Sequence, residues 1–155
     1  MASPSSEPVL VAEAAVNAAI QDARRWFLEL SDHPERYEFE SHKGFTFTEG
    51  AFGETGAKFE TQEQFMGITQ TLRFTLTEVE KQQFTFKLQQ PVTGIWGRFV
   101  LNEMTSSTTE LRLEIGGKTQ SKRLLLKMPV VSQAIRSQIK REVEHIKMSI
   151  ERTMN

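Results

Sequence analysis

The segment PVVSQAIRSQIKREVEHIKMSIERT, residues 129–153, decides the fold. Its apolar residues recur at intervals of three or four, which is the spacing of one stripe on an α-helix. Polar residues such as Gln138 and Lys140 occupy the rest of the predicted cylinder. The apolar stripe must be buried against another part of the chain, and we expect a sheet that curls around it. The stripe consists of Val131, Ile135, Ile139, Val143, Ile146, Ile150 and Met154.

Alternation of apolar and polar residues predicts strands before this helix. Phe59, Thr61, Glu63 and Phe65, for example, share one face of a predicted strand. The connections between such segments are short, so neighbouring strands should be antiparallel. The fold class is therefore α+β, with about seven antiparallel strands and one long C-terminal helix. The strands are expected near residues 9–16, 45–52, 59–65, 68–77, 84–88, 95–103 and 110–115.

Two short helices are predicted between the first and second strands. Asn17 has the side chain of an N-cap, and helical spacing follows it over residues 18–30. Pro34 suits the first turn of a second helical segment that runs to Tyr37. Residues 1–8 are small and polar and are expected to form a flexible tail, with a single domain over residues 9–155.

Composition narrows the function classes. The 155 residues include no cysteine, which excludes a thiol nucleophile, a thiolate metal site and a disulfide scaffold. No signal peptide or membrane span is recognisable, so we expect a soluble, cytoplasmic protein. Residues 1–117 carry a net charge of −7, and the remaining residues carry a net charge of +6. A basic helix against an acidic sheet explains this charge asymmetry. No recognised binding motif and no set of aromatic residues for base stacking indicates a nucleic-acid partner.

Two groups of residues have the spacing of known motifs, and they are Trp26, Leu30, Ser31, Asp32, Pro34 and Tyr37, followed at the C-terminus by Ile146, Lys147, Ile150 and Glu151. In these residues the chain resembles the SRPBCC, or START-like, helix-grip superfamily. Its members include the major pollen allergens, START lipid-transfer domains and polyketide cyclase/dehydratase-like proteins. The resemblance covers residues 9–152 and implies a helix-grip fold with a cavity for a lipid, polyketide or other polycyclic molecule. It implies no cofactor and transfers no catalytic residue.

The chain departs from this pattern just after Tyr37. Many relatives continue with a second tryptophan in an aromatic-rich turn, whereas residues 39–43 here are mostly polar. The mouth of the cavity is therefore expected to differ. The predicted ligand-binding residues are Phe59, Thr61, Glu63, Phe65, Gln70, Phe74, Phe86, Phe99, Ile135, Ile139 and Val143.

Glu63 is the one candidate for acid/base catalysis. Strict alternation with Phe59 and Phe65 directs it inward, where an apolar cavity would raise the pKa of its carboxyl group. Buried unpaired carboxylates are rare, however, and this favours a Glu63 that reaches water at a strand end or bulge.

Two further positions have alternative interpretations. Gln70 either bonds a ligand carbonyl or hydroxyl or marks a bend in its strand. Arg98 faces solvent if Phe99 faces the cavity, and this is the favoured arrangement. The opposite register would let Arg98 pair with Glu63 or hold a ligand carboxylate.

The histidines do not predict a metal site. His33, His42 and His145 are far apart in sequence and lack a metal-binding spacing. His33 is expected at the surface. His145 flanks the helix stripe, where exposure is favoured over a place at the rim of the cavity.

The stretch KRLLLKM, residues 122–128, has an unusual composition. Its three leucines between Lys122 and Met128 would suit a transient contact with an anionic membrane during ligand exchange. The favoured alternative is that the leucines begin the long helix and pack on the sheet, while the cations extend into solvent.

Three functions remain open from the sequence. The leading hypothesis is binding or transport of a small hydrophobic ligand. A cyclase- or dehydratase-type enzyme would use Glu63 as its acid or base. A protein-interaction domain would combine a filled cavity with an exposed apolar patch.

Overall fold

The computed structural model describes residues 6–39, 42–65 and 67–154, and for His42 and Phe65 it describes the backbone alone. Within these residues there are seven strands, close to the segments that alternation predicts, and three α-helices. A 3-10 helix, Pro34–Tyr37, follows α1. The strands are β1 Leu10–Val16, β2 His42–Glu49, β3 Lys58–Phe65, β4 Ile68–Val79, β5 Gln83–Gln90, β6 Ile95–Thr105 and β7 Thr108–Gly117. The α-helices are α1 Ile20–Leu28, α2 Gln120–Lys127 and α3 Pro129–Met154.

The strands form one antiparallel sheet in the order β1-β7-β6-β5-β4-β3-β2. Strands β2 to β7 make a meander, and β1 pairs with β7 at the far edge. Helix α3 packs against β1, β7 and the 3-10 helix. The predicted α+β helix-grip architecture is confirmed.

Helix α1 and the 3-10 helix close one end of the core. Trp26 and Phe27 of α1 are fully buried, and the indole Nε1–H of Trp26 donates to Ser149 Oγ on α3 at 2.9 Å. The ring of Tyr37 stacks on Phe45 of β2 at 4.8 Å between centroids. The hydrogen bond joins α1 to α3, and the ring contact joins the 3-10 helix to the sheet.

The predicted N-cap is wrong. The residue before α1 is Ala19, which makes no side-chain cap, and the Asn17 backbone N–H donates to Glu151 Oε2 at 2.8 Å. The chain leaves β1 through a turn in which the Ala18 N–H bonds to the Val16 carbonyl, so Asn17 lies too early to cap the helix. Phe52 is also outside its predicted strand, since β2 ends at Glu49.

A second helix, α2, precedes the long one. Met128 has an extended backbone with ψ 132° and separates the two helices. The ring of Pro129 disfavours helical geometry in the residue before it, so α3 starts anew at the proline. The leucines of residues 122–128 therefore form a separate helix and do not begin the long one. Helix α2 lies directly on β7, where a Cβ on Gly117 would come within 2.7 Å of Arg123 N.

The predicted flexible tail, residues 1–8, lies largely outside the described residues. In its described part, the Ser6 carbonyl accepts from Arg98 Nη2 at 3.3 Å and the Glu7 carbonyl from Arg123 Nη1 at 2.7 Å. Its flexibility and the single-domain division stay predictions.

Candidate ligand cavity

A cavity of about 370 Å³ lies between the concave face of the sheet and α3. Its wall is almost entirely apolar, because the inward-facing residues of β3 to β7 alternate with outward-facing polar ones. The volume falls within the usual range of small-molecule sites. The apolar lining includes Phe45, Phe52, Phe59, Phe74, Phe86, Phe99, Leu72, Leu88, Ile115, Ile135 and Ile139.

Phenylalanine rings pack on one another along the wall and leave the centre open. Phe59 stacks on Phe74 with centroids 5.1 Å apart, and Phe86 meets Phe74 edge to face at 5.4 Å. Phe86 lies close over Gly97 of the neighbouring strand β6, where an added Cβ would be 2.4 Å from Phe86 Cζ. The missing side chain of Gly97 thus lets this ring lie back against the sheet.

One end of the cavity is polar and acidic. Glu63 on β3 and Glu142 on α3 are each 7% exposed, and their carboxyl groups are hydrogen-bonded to each other. Gln138 lies between them, with Nε2 at 3.4 Å from Glu63 Oε1 and 3.5 Å from Glu142 Oε1. Thr61 Oγ1 donates to Glu63 Oε2 at 2.8 Å, and Tyr37 OH donates to Glu142 Oε2 at 3.3 Å. We call these five residues the acidic cluster.

Burial raises the pKa of both carboxyl groups. That of Glu63 rises to about 7, and hydrogen bonds from Thr61, Glu142 and Gln138 limit the increase. Burial and the nearby charge of Glu63 raise the pKa of Glu142 well above its usual value. Two carboxyl groups in contact titrate as one system, so the pair retains a proton near neutral pH. Burial also raises the pKa of Tyr37, which stays a neutral phenol.

The favoured solvent-exposed placement of Glu63 is therefore wrong. The position lies within β3 in regular register, with Glu63 opposite Gln70 of β4, so strict alternation holds and directs the carboxyl inward. A hydrogen-bonded partner on α3 makes this burial tolerable. Gln70 lines the cavity as well and lies in regular β3–β4 pairing.

Arg98 lies on the opposite face of the sheet. Its Nε donates to Glu114 Oε1 at 2.8 Å and its guanidinium covers the Trp96 ring at 4.8 Å. Phe99, 2% exposed, faces inward as the favoured register requires. A pairing of Arg98 with Glu63 is thereby excluded, and so is a role in holding a ligand within the cavity.

Most of the predicted ligand-binding residues do line the cavity. Val143 is buried but is not among the lining residues, because it lies further round α3. The side chain of Phe65 lies outside the described residues. The lining positions are Phe59, Thr61, Glu63, Gln70, Phe74, Phe86, Phe99, Ile135 and Ile139.

Sequence analysis missed the α3 half of the acidic cluster. Gln138 was assigned to the polar surface of the helix, yet it is 6% exposed. Gln138 and Glu142 each follow a stripe residue by three positions, at Ile135 and Ile139, so they lie on the same helix face. This i, i+3 spacing could have indicated that Gln138 and Glu142 face the cavity. Polar residues of the helix were instead expected to face solvent.

His145 is half-buried and lies away from the cavity lining. Its Nε2 is 2.9 Å from the Arg36 carbonyl oxygen, and its ring stacks on Phe39 at 4.9 Å. Burial lowers the pKa of its imidazole. The favoured exposed placement is wrong for His145, whereas His33 is exposed as expected. In the described ranges, no three His, Cys, Asp or Glu side chains gather as a metal site would require.

The cavity lining includes an exposed residue in the β5–β6 connection, Val92, and we infer that the mouth of the cavity lies between this connection and the junction of α2 with α3. Val92 from the connection and Leu125 and Val131 from the helices line it. Leu126 is buried at 1%, whereas Leu124 and Met128 are 55% and 53% exposed. The predicted packing of the leucines on the sheet thus holds for one side of α2, and the other side is open. None of the described helices is long and apolar enough to cross a membrane.

No protein-family model matches the sequence, and neither does any curated protein. Solved structures do match. Ara h 8.0201 gives a TM-score of 0.66 at 11% identity, covering 91% of this chain and 95% of that one. A START superfamily protein from Mycobacterium smegmatis gives 0.64 at 15% identity, covering 94% and 95%. The di-domain ARO/CYC protein BexL gives 0.60 at 12% identity, covering 98% of this chain and 52% of that one. At such identities the likeness concerns the fold alone, and it confirms that this chain has the helix-grip fold.

Proposed function

We propose that this protein binds or transports a small hydrophobic ligand in the cavity, with the ligand's polar group against the acidic cluster. The observation that carries the proposal is an open apolar cavity of about 370 Å³ with its polar groups gathered at one end. Such an arrangement accommodates the apolar part of a ligand and orients one polar substituent. Among lipids, polyketides and other polycyclic molecules, the ring-lined wall favours a polycyclic body.

Ligand release and thermal stabilisation test this proposal. Native mass spectrometry, followed by denaturation, identifies a co-purified molecule, and a library of polycyclic compounds should raise the melting temperature through binding to the folded state. Leu72→Trp places a large side chain on the cavity wall, whereas Thr71→Trp places it on the outer face of the same strand. The stabilisation should disappear in the first variant only. Absence of any bound or stabilising compound in the unmodified protein would contradict the proposal.

A second candidate is a cyclase- or dehydratase-type enzyme with Glu63 as its proton-transfer group. The observation in its favour is a cavity-lining carboxyl whose pKa is raised to about 7, where an acid or base is most effective. Gln70, which also lines the cavity, would orient a substrate carbonyl. In this case Glu63→Gln should abolish turnover of an identified ligand while binding persists. A variant that turns over the ligand at the original rate would exclude this role.

The partner proposed for α2 is the surface of an anionic membrane, contacted transiently during ligand exchange. Exposed Leu124 and Met128 lie beside the cavity mouth, and Lys122, Arg123 and Lys127 belong to the same helix. Vesicles containing phosphatidylserine should sediment the protein, and Leu124→Ser with Met128→Ser should abolish this. Met104→Ser, at an equally exposed site in β6, is the matched control. Equal sedimentation of all variants would exclude the contact.

The protein-interaction hypothesis required a filled cavity, and the cavity is open, so this hypothesis receives no support. A cytoplasmic location remains a prediction from the sequence.

A further inference from the structure

Given the proposed ligand-binding function, we infer that the cavity selects ligands bearing a protonated amine and disfavours carboxylates, because Glu63 and Glu142 form a hydrogen-bonded carboxyl pair on its wall. The inference specifies the ligand class of the same site. It rests on where the two carboxyl groups lie and on what surrounds them.

The pair combines elements from opposite sides of the cavity. Glu63 comes from the sheet and Glu142 from α3, and both line the cavity. Hydrogen bonds to them from Thr61, Tyr37 and Gln138 come from neutral groups, which orient the carboxyl oxygens without neutralising a charge. A ligand at this end therefore meets oriented acceptor oxygens.

The charge of the pair distinguishes among ligand head groups. A contacting carboxyl pair with one retained proton carries up to one negative charge in a poorly hydrated site. An ammonium group supplies an opposite charge and several N–H donors, and bonds of that kind are stronger than neutral ones. A carboxylate would bring a second negative charge into the same low-dielectric space, which is strongly unfavourable.

The described side chains beside the pair on β4 and α3 leave this preference in place. On β4, Gln70 is paired opposite Glu63 and is a neutral amide. On α3, Arg141 Nη2 bonds Gln138 Oε1 at 3.5 Å, so its positive charge contacts the amide of the cluster. His145, one turn beyond Glu142, has a pKa lowered by burial and is neutral near pH 7. On β2, the backbone of His42 is in register with Glu63.

Three probes that share one ring system separate head-group selectivity from binding as such. They are 1-naphthylmethylamine, 1-naphthylmethanol and 1-naphthaleneacetate, the last being the carboxylate of 1-naphthaleneacetic acid. Each is titrated calorimetrically at pH 7. We expect the amine to bind on the order of 10-fold or more tightly than the alcohol. The acetate should bind more weakly than either. Equal or tighter binding of the acetate would overturn the inference while leaving the proposed function intact.

Variants assign the preference to the carboxyl pair. Glu63→Gln and, independently, Glu142→Gln should reduce the amine's advantage over the alcohol and improve acetate binding. Glu60→Gln, on the outer face of β3, is the control and should preserve the order of the probes. An amine preference that persists in both folded cavity variants would overturn the inference. Failure of all three probes, the neutral alcohol included, to bind the unmodified protein would instead contradict the proposed function itself.

Discussion

Trp26 and Ser149 are joined by a buried hydrogen bond of 2.9 Å that connects α1 to α3. Both side chains are almost completely shielded from water. Ser149→Ala would leave the indole N–H buried without this acceptor, so we expect a loss of about 1–3 kcal/mol in the free energy of unfolding. Urea denaturation measures it. Ser137→Ala, at an exposed position of the same helix, should be close to neutral, and equal effects at both sites would refute the assignment.

The carboxyl pair should make stability depend on pH in an unusual direction. The folded state keeps a proton on Glu63 up to a pKa of about 7, whereas the unfolded state loses it near 4.5. The folded state thus binds more protons in this window, and the free energy of unfolding should fall by up to about 3 kcal/mol as pH rises through it. The raised pKa of Glu142 extends the decline to higher pH.

Comparison with Glu63→Gln isolates this effect, because other titrating groups cancel in the difference. Urea denaturation at pH 4.5, 6 and 7.5 should show the variant gaining stability relative to the unmodified protein as pH rises. A difference that stays constant across the three pH values would show that Glu63 does not titrate in this range.

Gly97→Ala should constrict the cavity. The added methyl group would come within 2.4 Å of Phe86 Cζ, so the ring must swing into the open space. We expect weaker ligand binding and a loss of about 1–3 kcal/mol, the usual cost of overpacking. Adding Phe86→Leu should restore much of the stability. If the double variant is no more stable than Gly97→Ala alone, the contact does not cause the loss.

Arg98→Ala should destabilise the protein without changing ligand affinity. Its partner Glu114 has a side chain only 9% exposed, and Arg112 Nη2 at 3.3 Å would be its remaining cation. We expect a loss of about 1–3 kcal/mol in the free energy of unfolding. Arg73→Ala, from an exposed pair with Glu60, should cost less than about 1 kcal/mol. A change in ligand affinity for Arg98→Ala would contradict its placement outside the cavity.

The fold could be predicted because it depends on periodicity. The four-residue spacing from Ile135 to Ile139 and the two-residue alternation from Phe59 to Glu63 each identify a buried face without knowledge of the partner element. The boundaries at Asn17 and Met128 depended on a local turn and on the residue before a proline, and periodicity does not report these.

The candidate site was only half predictable. Glu63 was identified from alternation, but its burial depends on Glu142, which lies 79 positions later in the sequence. No local pattern predicts that a carboxyl group on a strand and one on a helix will form a hydrogen-bonded pair. The rarity of buried carboxylates favoured an exposed Glu63, whereas its pairing with Glu142 makes burial tolerable for both side chains.

The break at Met128 also places the helical residues that line the cavity on two separate elements, α2 and α3, which mutation can alter separately. Helix α2 and the first turns of α3 line the entrance, whereas Gln138 and Glu142 lie further along α3 and face the sheet. Substitutions in α2 can therefore change how fast a ligand enters while the groups that recognise it stay in place. Related chains could in this way diverge in exchange rate and in chemical preference along independent lines.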